Sequence, residues 1–388
     1  MRLGAGRGAA MLVAVALLMQ TTAQTVVDAQ EPVARAAPTV LGPPPAAATG
    51  LGIDASLSVA LVEATTGQVI LARRESERRP IASAIKLVTA LVVAEVLPAG
   101  SVVTVGEEVV GVEGSSYELT PGEIRTVEDL LAGLLLRSGN DAAVALAVAV
   151  AGTEEAFVDR MAALLASIGI DARPGSSSGL DEEDALSALE LAAVARAALA
   201  EPRIRDLVGL PVLIVDGVEV ENRNLFLNDI EGATGLKTGF TSAAGFTLAA
   251  SARRDGRELI AVVLGAGDDL ERRRVAARLL DHGFATTFRL RVDRSVSLRT
   301  TAGPVLFRTE AATITVPGGS VVGVAWPRTL RAEDELTAVR VTVDGVDAGL
   351  VGVDRRDARR DGSQSSLGRA LADGAYAAMR PTGLTGGA

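Results

Sequence analysis

The sequence predicts an α+β protein: an antiparallel sheet flanked by helices, with a helical subdomain set into it and a small β-domain behind it. Three observations predict this. Strand-like segments stand on either side of a long, mostly helical block, two before it and about three after it, from Pro211 onward. The block carries apolar runs of helical character, such as LLAGLLL and AAVALAVAVAG. After Ala285 the texture changes to short alternating stretches, the mark of a separate β-rich unit.

Composition narrows the function classes. At 388 residues the chain can hold two domains with appendages, and 48% hydrophobic content supplies a core. No stretch of 18 apolar residues occurs, which argues against a transmembrane helix. The formal net charge of −10, with arginines scattered among more numerous acids, argues against nucleic-acid binding. Without cysteine there are no disulfides and no cysteine-ligated zinc; a single histidine, His282, leaves no histidine-rich metal site. Neither metal nor cofactor is expected.

Taken in order, Arg2 and Arg7 precede the apolar run Ala9 to Met19 and then small, polar residues, the pattern of a secretory signal over residues 1–29. Cleavage after Ala23 and after Ala29 both fit, and an uncleaved anchor is the alternative. Export to the cell envelope is the expectation. Residues 30–50 are Ala- and Pro-rich, with Pro43, Pro44 and Pro45 in a row, and read as a semi-rigid linker. Ser56 to Val62 and Gln68 to Ala72 form a hairpin about Thr65-Thr66-Gly67. A charged segment leads to Pro80, which suits the opening turn of a helix that is apolar on most sides.

Residues 101–124 read as short strands and turns. A helix starts near Thr126, with Glu128 and Asp129 in its first turn, and is interrupted at Arg137-Ser138-Gly139-Asn140-Asp141 before helical character resumes. Glu154 to Ile168 and Ala185 to Leu199 are two amphipathic helices around the loop Pro174 to Asp184. Beyond Pro211 come the glycine-rich stretch Gly232 to Gly245 and two apolar alternating runs, Phe246 to Ala252 and Glu258 to Leu264, read as strands. The link Arg253-Arg254-Asp255-Gly256 is a good hairpin turn. Glu271 to His282 is a helix closed by Gly283, with His282 in a structural role at its end. The β-rich segment 286–353 holds Leu290–Val292, Val296–Leu298, Val305–Phe307, Ile314–Val316, Val321–Val324 and Val339–Val343. Residues 354–388 form a polar tail, with Leu367, Leu371, Ala375 and Met379 as a weak stripe that Pro381 stops. Membrane association through either terminus stays open.

The chemistry gathers around two residues. Of 38 basic residues only two are lysines, Lys86 and Lys237. Arginine is effectively always charged, whereas a buried lysine can lose its proton and act as a base. Ser83 precedes Lys86 by three residues, so on a helix both share one face. A serine hydroxyl needs an adjacent base to become a nucleophile. With one histidine, at a helix end, a serine enzyme built from this chain must use lysine.

Three motifs then stand in order: Ser83-Ala84-Ile85-Lys86, Ser138-Gly139-Asn140 and Lys237-Thr238-Gly239. Together they resemble the signature of the penicillin-binding proteins and serine β-lactamases. The flanks RRPIASAIKLVTAL, TVEDLLAGLLLRSGNDAAVALA, SSGLDEEDALSALELA and GLKTGFTSAAGFTLAASARRDG are similar to those of the D-alanyl-D-alanine carboxypeptidases, the low-molecular-mass penicillin-binding proteins. The resemblance covers residues 51–285, and 286–353 is similar to the family's C-terminal domain.

This resemblance implies a β-lactamase/transpeptidase-like fold over 51–285. It implies Ser83 as the acylated nucleophile, Lys86 as its base and Ser138 as a proton relay to the leaving amine. Asn140 would bind the substrate's peptide carbonyl, Lys237 and Thr238 its terminal carboxylate, and Gly239 would permit backbone approach. The oxyanion hole would be the N–H groups of Ser83 and Phe240. Arg272 is a further carboxylate-side candidate, although Arg273 and Arg274 beside it equally suit a solvated face. The implied partner is a peptidoglycan stem peptide ending in D-Ala-D-Ala, with β-lactams as acylating inhibitors. Two departures stand out: Gly139 where many relatives have alanine, and Phe240 at a variable position.

The rivals differ in mechanism. A class A β-lactamase needs a glutamate to activate the deacylating water, and Glu190 and Glu201 lie in or near apolar helical context. A D,D-endopeptidase would use the same acyl-enzyme, and a wall-binding protein would carry the motifs without turnover.

Overall fold

The computed structural model describes residues 50–292 without interruption and, after them, strands 295–300, 303–309, 312–317, 322–325, 338–343 and 346–356. The expected signal segment, nearly all of the linker and the tail from 357 lie outside the described residues.

The chain opens with the hairpin β1 (Ser58–Glu63) and β2 (Val69–Arg73). The carboxylate of buried Glu63 closes its turn, accepting from the N–H of Thr66 at 2.5 Å and from its hydroxyl at 2.9 Å. Pro80 does not open a helix. It lies in the two-residue strand β3 (Arg79–Pro80), paired with residues 185–186, where a missing N–H is tolerated at a ribbon this short. A 3₁₀ turn, Ala82–Ile85, leads directly into α1 (Lys86–Val96). After β4 (Val102–Thr104) and β5 (Ile124–Thr126) comes α2 (Val127–Leu135). Thr126 caps it, accepting from the Asp129 N–H at 3.1 Å, as the sequence predicts.

Next come α3 (Asn140–Ala151), ended by Gly152 at φ +80°, and α4 (Glu154–Ser167). The helix expected from Ala185 begins later: Ala185–Leu186 is β6, the partner of β3, and α5 (Ala188–Ala200) starts after the capping box of Ser187 and Glu190. Then follow α6 (Pro202–Val208), the hairpin β7 (Val212–Val215) and β8 (Val218–Glu221), and α7 (Phe226–Asp229). Three long strands close the domain: β9 (Ala233–Thr241), β10 (Gly245–Arg254) and β11 (Arg257–Ala266). The β10–β11 turn has Asp255 at φ +50° and Gly256 at φ +72°, the left-handed pair that a tight hairpin needs.

These strands form one antiparallel sheet in the order β2-β1-β11-β10-β9. Both faces are covered. Ala60, Val62, Ala249, Ile260, Val262 and Leu264 pack under the helical block, in a core shared with Leu87, Leu130, Leu146 and Leu191. Val59, Leu61, Leu248, Ala261 and Val263 pack on α8 (Asp269–Thr286) through Val275, Leu279 and Leu280. The alternation expected of β1 and β11 does not leave a solvated face: the sheet is covered on both sides, and consecutive residues of both strands are buried. Gly283 does not end α8; the helix continues through it to Thr286. A Cβ at Gly283 would meet Leu259 Cδ1 at 2.6 Å and Leu61 Cδ2 at 2.9 Å, so the glycine lets α8 approach the sheet. His282 accordingly lies inside the helix, its carbonyl accepting from the Thr286 hydroxyl at 2.8 Å.

After α8 the chain forms β12 (Thr287–Val292), β13 (Ser295–Thr300), β14 (Gly303–Thr309), β15 (Ala312–Pro317), β16 (Val322–Ala325), β17 (Ala338–Val343) and β18 (Val346–Arg356). β12 pairs with β15, and the others form a sheet in the order β13-β14-β18-β17-β16. All six expected stretches fall on strands, with Val321 lying outside the described residues. The central one, β18, was not expected, because Gly349 and Gly352 dilute its alternation. It takes Arg355 and Arg356 out of the expected polar tail and pairs them with Phe307 and Leu306.

Candidate active site

Ser83 sits in the 3₁₀ turn between β3 and α1, and the turn is held from outside. The Ile81 N–H donates to the Asp184 carbonyl at 2.9 Å, and Ala82 is in the left-handed region at φ +50°. Such strain persists only where the surroundings enforce it. Here the loop 174–184 presses on it: a Cβ at Gly179 (φ +92°) would lie 2.3 Å from the Ala82 oxygen and 2.7 Å from the Ser83 nitrogen. Glycine is the residue that fits.

Lys86 is the first residue of α1 and is fully buried, at 0% exposure. Its Nζ lies 2.9 Å from Ser83 Oγ, 2.7 Å from Asn140 Oδ1 and 2.5 Å from the Ser178 carbonyl oxygen. Burial pushes its pKa well below the ordinary lysine value, and the positive charge of Lys237 adds to that, against an opposite pull from Asp184 and Asp141. An amine biased toward its neutral form and 2.9 Å from a serine hydroxyl is placed to take that proton.

The interruption between α2 and α3 carries Ser138 and Asn140. Ser138 is again left-handed, at φ +63°. Asn140 heads α3, with its Nδ2 donating to the Glu113 carbonyl at 2.7 Å, which fixes the amide so that Oδ1 faces Lys86. The loop supplying that carbonyl is tied to Asp141, which accepts from Tyr117 N–H, Leu119 N–H and Ser116 Oγ. Gly139, the departure from alanine, has a local reason. A Cβ there would meet Asp141 Oδ1 at 2.7 Å and Tyr117 Cβ at 3.0 Å.

Lys237 comes from β9, the edge of the sheet, opposite Ala249 and therefore on the face under the helical block. It is 1% exposed, and its Nζ donates to Ser138 Oγ and the Thr238 carbonyl, each at 3.0 Å. Burial, with Arg272 and Arg223 nearby, lowers its pKa to about 7. Thr238 is buried beside it. Gly239 is where β9 meets the nucleophile turn: a Cβ would lie 2.7 Å from the Ile81 oxygen and 3.0 Å from the Ser83 nitrogen. Phe240 follows, exposed, its ring centroid 4.4 Å from that of Phe246.

Eight of the nine predicted positions thus converge where the Ser83 turn, the α2–α3 turn and β9 meet. Arg272 stands apart, behind the strands. It is buried rather than on a solvated face, with its guanidinium donating to the carbonyls of Gly239 and Thr247 at 2.8 and 3.0 Å and to Asp269. It braces the β9–β10 pair next to Gly239. Neither rival glutamate hydrogen-bonds Ser83 or Lys86: Glu190 is held by Arg78 and the Ser187 N–H, and Glu201 caps α6. Sequence reasoning missed the loop 174–184, whose Ser178 carbonyl touches Lys86. The signal was there in Ser176-Ser177-Ser178-Gly179-Leu180, but a backbone carbonyl leaves no residue-type signature. Among the described residues no helix is long and apolar enough to cross a membrane.

This is the β-lactamase/transpeptidase-like fold. A structure of penicillin-binding protein 5 from Haemophilus influenzae superposes with TM-score 0.66 at 25% identity, over 77% of this chain and 96% of that one. Residues 46–268 match the S11 peptidase family, the D-alanyl-D-alanine carboxypeptidases, and the chain belongs to that family. It is 32% identical over 240 residues to the D-alanyl-D-alanine carboxypeptidase DacF of Bacillus subtilis, covering 59% of this chain and 62% of that one. Against DacC of Escherichia coli it is 31% identical over 301 residues, covering 72% of this chain and 75% of the relative. The first matches span 61–64% of the curated relatives' lengths.

Proposed function

We propose that the protein is a serine D-alanyl-D-alanine carboxypeptidase that removes the terminal D-alanine from peptidoglycan stem pentapeptides, and that β-lactams acylate it. The observation that carries this is the contact of a buried, deprotonation-prone Lys86 with Ser83 at 2.9 Å, opposite a second lysine bonded to Ser138. In this reading Lys86 takes the Ser83 hydroxyl proton as Oγ bonds to the carbonyl carbon of the penultimate D-alanine. The developing oxyanion is held by the N–H groups of Ser83 and Phe240. Collapse breaks the C–N bond, and the leaving amine receives its proton through Ser138. Water then hydrolyses the Ser83 ester.

Asn140 orients Lys86 and reaches the substrate's amide; Lys237 and Thr238 receive the terminal carboxylate. Arg272 supports that side by holding the Gly239 carbonyl rather than by free donors. A carboxylate entering beside Lys237 would raise its pKa again, so binding and charging of that lysine go together. The peptidase domain is assigned to 51–285 and a small β-domain to 286–353. Export to the cell envelope, with association through a terminus, completes the reading, because the substrate lies outside the membrane.

The test is incubation of the purified chain with a fluorescent penicillin, mapping of the adduct by peptide mass spectrometry, and assay of D-alanine release from a pentapeptide. An adduct on Ser83, absent in Ser83→Ala, with D-alanine released, is the expected result. A folded protein that forms no adduct and releases none overturns the assignment; an adduct without D-alanine release overturns the substrate.

A further inference from the structure

Two of the three polar neighbours of Lys86 Nζ are pure hydrogen-bond acceptors, and they fix where its hydrogens point. A neutral amine has two N–H groups and one lone pair. In the structure Lys86 Nζ donates to Asn140 Oδ1 at 2.7 Å, the Ser178 carbonyl at 2.5 Å and Ser83 Oγ at 2.9 Å, and the Ser83 hydroxyl faces the same Ser178 carbonyl at 3.4 Å. Asn140 Oδ1 and the Ser178 carbonyl can only accept, so once the amine is neutral they take its two hydrogens and its lone pair is left for the Ser83 hydroxyl. Of the two acceptors, Ser178 belongs to the loop 174–184, which has no regular structure of its own to hold it.

What holds that loop is a carboxylate. Asp184 is 0% exposed, and all of its side-chain contacts are donations to it. Oδ1 accepts from the N–H groups of Gly175 and Ser176, each at 3.0 Å, and Oδ2 from Ser176 Oγ at 2.6 Å and the Asp181 N–H at 3.2 Å. The Ser176 oxygen in turn accepts from the N–H groups of Ser178 at 3.3 Å and Gly179 at 2.9 Å. A relay therefore runs from Asp184 through Ser176 to the residue whose carbonyl touches Lys86. The backbone of Asp184 reaches the other side, its carbonyl accepting from Ile81 two residues before Ser83. From the opposite flank Glu154 accepts from the N–H and hydroxyl of Ser177 at 2.9 and 2.6 Å.

We propose that Asp184 is a positioning residue for acylation: through Ser176 it sets the Ser178 carbonyl, and so the direction of the Lys86 lone pair toward Ser83. This rests on the reading of Lys86 as the base for Ser83. The charged groups around Lys86 are Lys237 and Arg223, which push its pKa down, and Asp184 and Asp141, which push it up. Loss of the Asp184 charge therefore has two effects. The amine is held less well, and it titrates at lower pH.

The experiment measures penicillin acylation of the full chain against pH for the parent, Asp184→Asn and Ser176→Ala, with melting temperature alongside. In Asp184→Asn an NH₂ would face the Asp181 N–H, donor against donor. The expected result is a maximal acylation rate lower by about tenfold to a hundredfold, as for a base misplaced by about an ångström, with unchanged reversible penicillin affinity. The acid limb of the profile moves to lower pH. Ser176→Ala cuts the relay without touching a charge and lowers the maximal rate while leaving the acid limb in place; it serves also if Asp184→Asn does not fold. Variants that melt earlier yet acylate at the parent rate with the parent's limb would overturn the proposal, leaving Asp184 a structural residue. Failure of the parent itself to label Ser83 would overturn the carboxypeptidase reading instead.

Discussion

The two sides of the cleft each bury a lysine, and they treat it differently. On the helical side Lys86 meets two pure acceptors and a hydroxyl, and burial together with the charge of Lys237 drives its pKa far down. On the sheet side Lys237 meets the Ser138 hydroxyl and one carbonyl, with Arg272 and Arg223 as charged neighbours, and its pKa falls to about 7. Burial weakens both charges; the surroundings decide what each is for. One site biases its lysine strongly toward the neutral form. The other stands near the midpoint of its titration, where an anionic ligand can recharge it.

The largest effect should come from exchanging the two chemistries. Lys86→Arg keeps a charge but cannot give up its proton, so acylation should fall by about 10²–10⁴-fold, as for Lys86→Ala. Lys237→Arg keeps what its side needs and should lose far less; stopped-flow acylation with a penicillin compares the three. Equal losses at both lysines would dissolve the distinction.

Gly239→Ala tests whether the two sides must touch. Its Cβ would sit 2.5 Å from Thr247 Oγ1 and 3.0 Å from the Ser83 nitrogen, so β9 has to shift. The expected cost is about 1–3 kcal/mol of stability and a rate loss of up to about a hundredfold. Denaturant melts and acylation rates read it, and an unchanged rate would mean that β9 does not set the geometry at Ser83.

The lysines also set a pH dependence of stability. A lysine whose pKa is lower folded than unfolded binds more protons unfolded, so stability rises with pH between the two values. For Lys237 that window runs from about 7 to 10.5, and stability is lost as pH falls through it. Melting temperature of the parent should therefore climb across this range more steeply than that of Lys237→Met. The smallest effect is expected at Thr126→Ala, which removes the cap of α2 at a cost of about 1 kcal/mol and leaves acylation nearly unchanged.

Much of this was legible in the chain itself. Ser83 and Lys86 stood out by their spacing and Lys237 as the second of two lysines, while Ser138 and Asn140 stood out through the resemblance of the three motifs to a known signature. The Thr126 cap and the Asp255-Gly256 turn were legible for a similar local reason, since each depends only on residues next to it in the chain. The cap of α4 has the same local form, the Thr153 hydroxyl accepting from the Ala156 N–H at 3.1 Å.

What the sequence by itself determined was the class of fold and the candidates for the reacting groups, since both rest on residue type, motif order and local period. What only the tertiary structure decided was everything carried by backbone and by burial. The Ser178 carbonyl acts through an atom that every residue possesses, and Asp184 matters because of four donors that fold onto it from its own loop. Gly283 reads as a helix stop until Leu61 and Leu259 are seen to occupy the space of its missing side chain. Arg272 reads equally as a carboxylate-side residue and as one of three solvated arginines until it is found buried under two carbonyls. The depression of both lysine pKa values belongs to this second group, because desolvation is a property of the packed protein and not of the lysine.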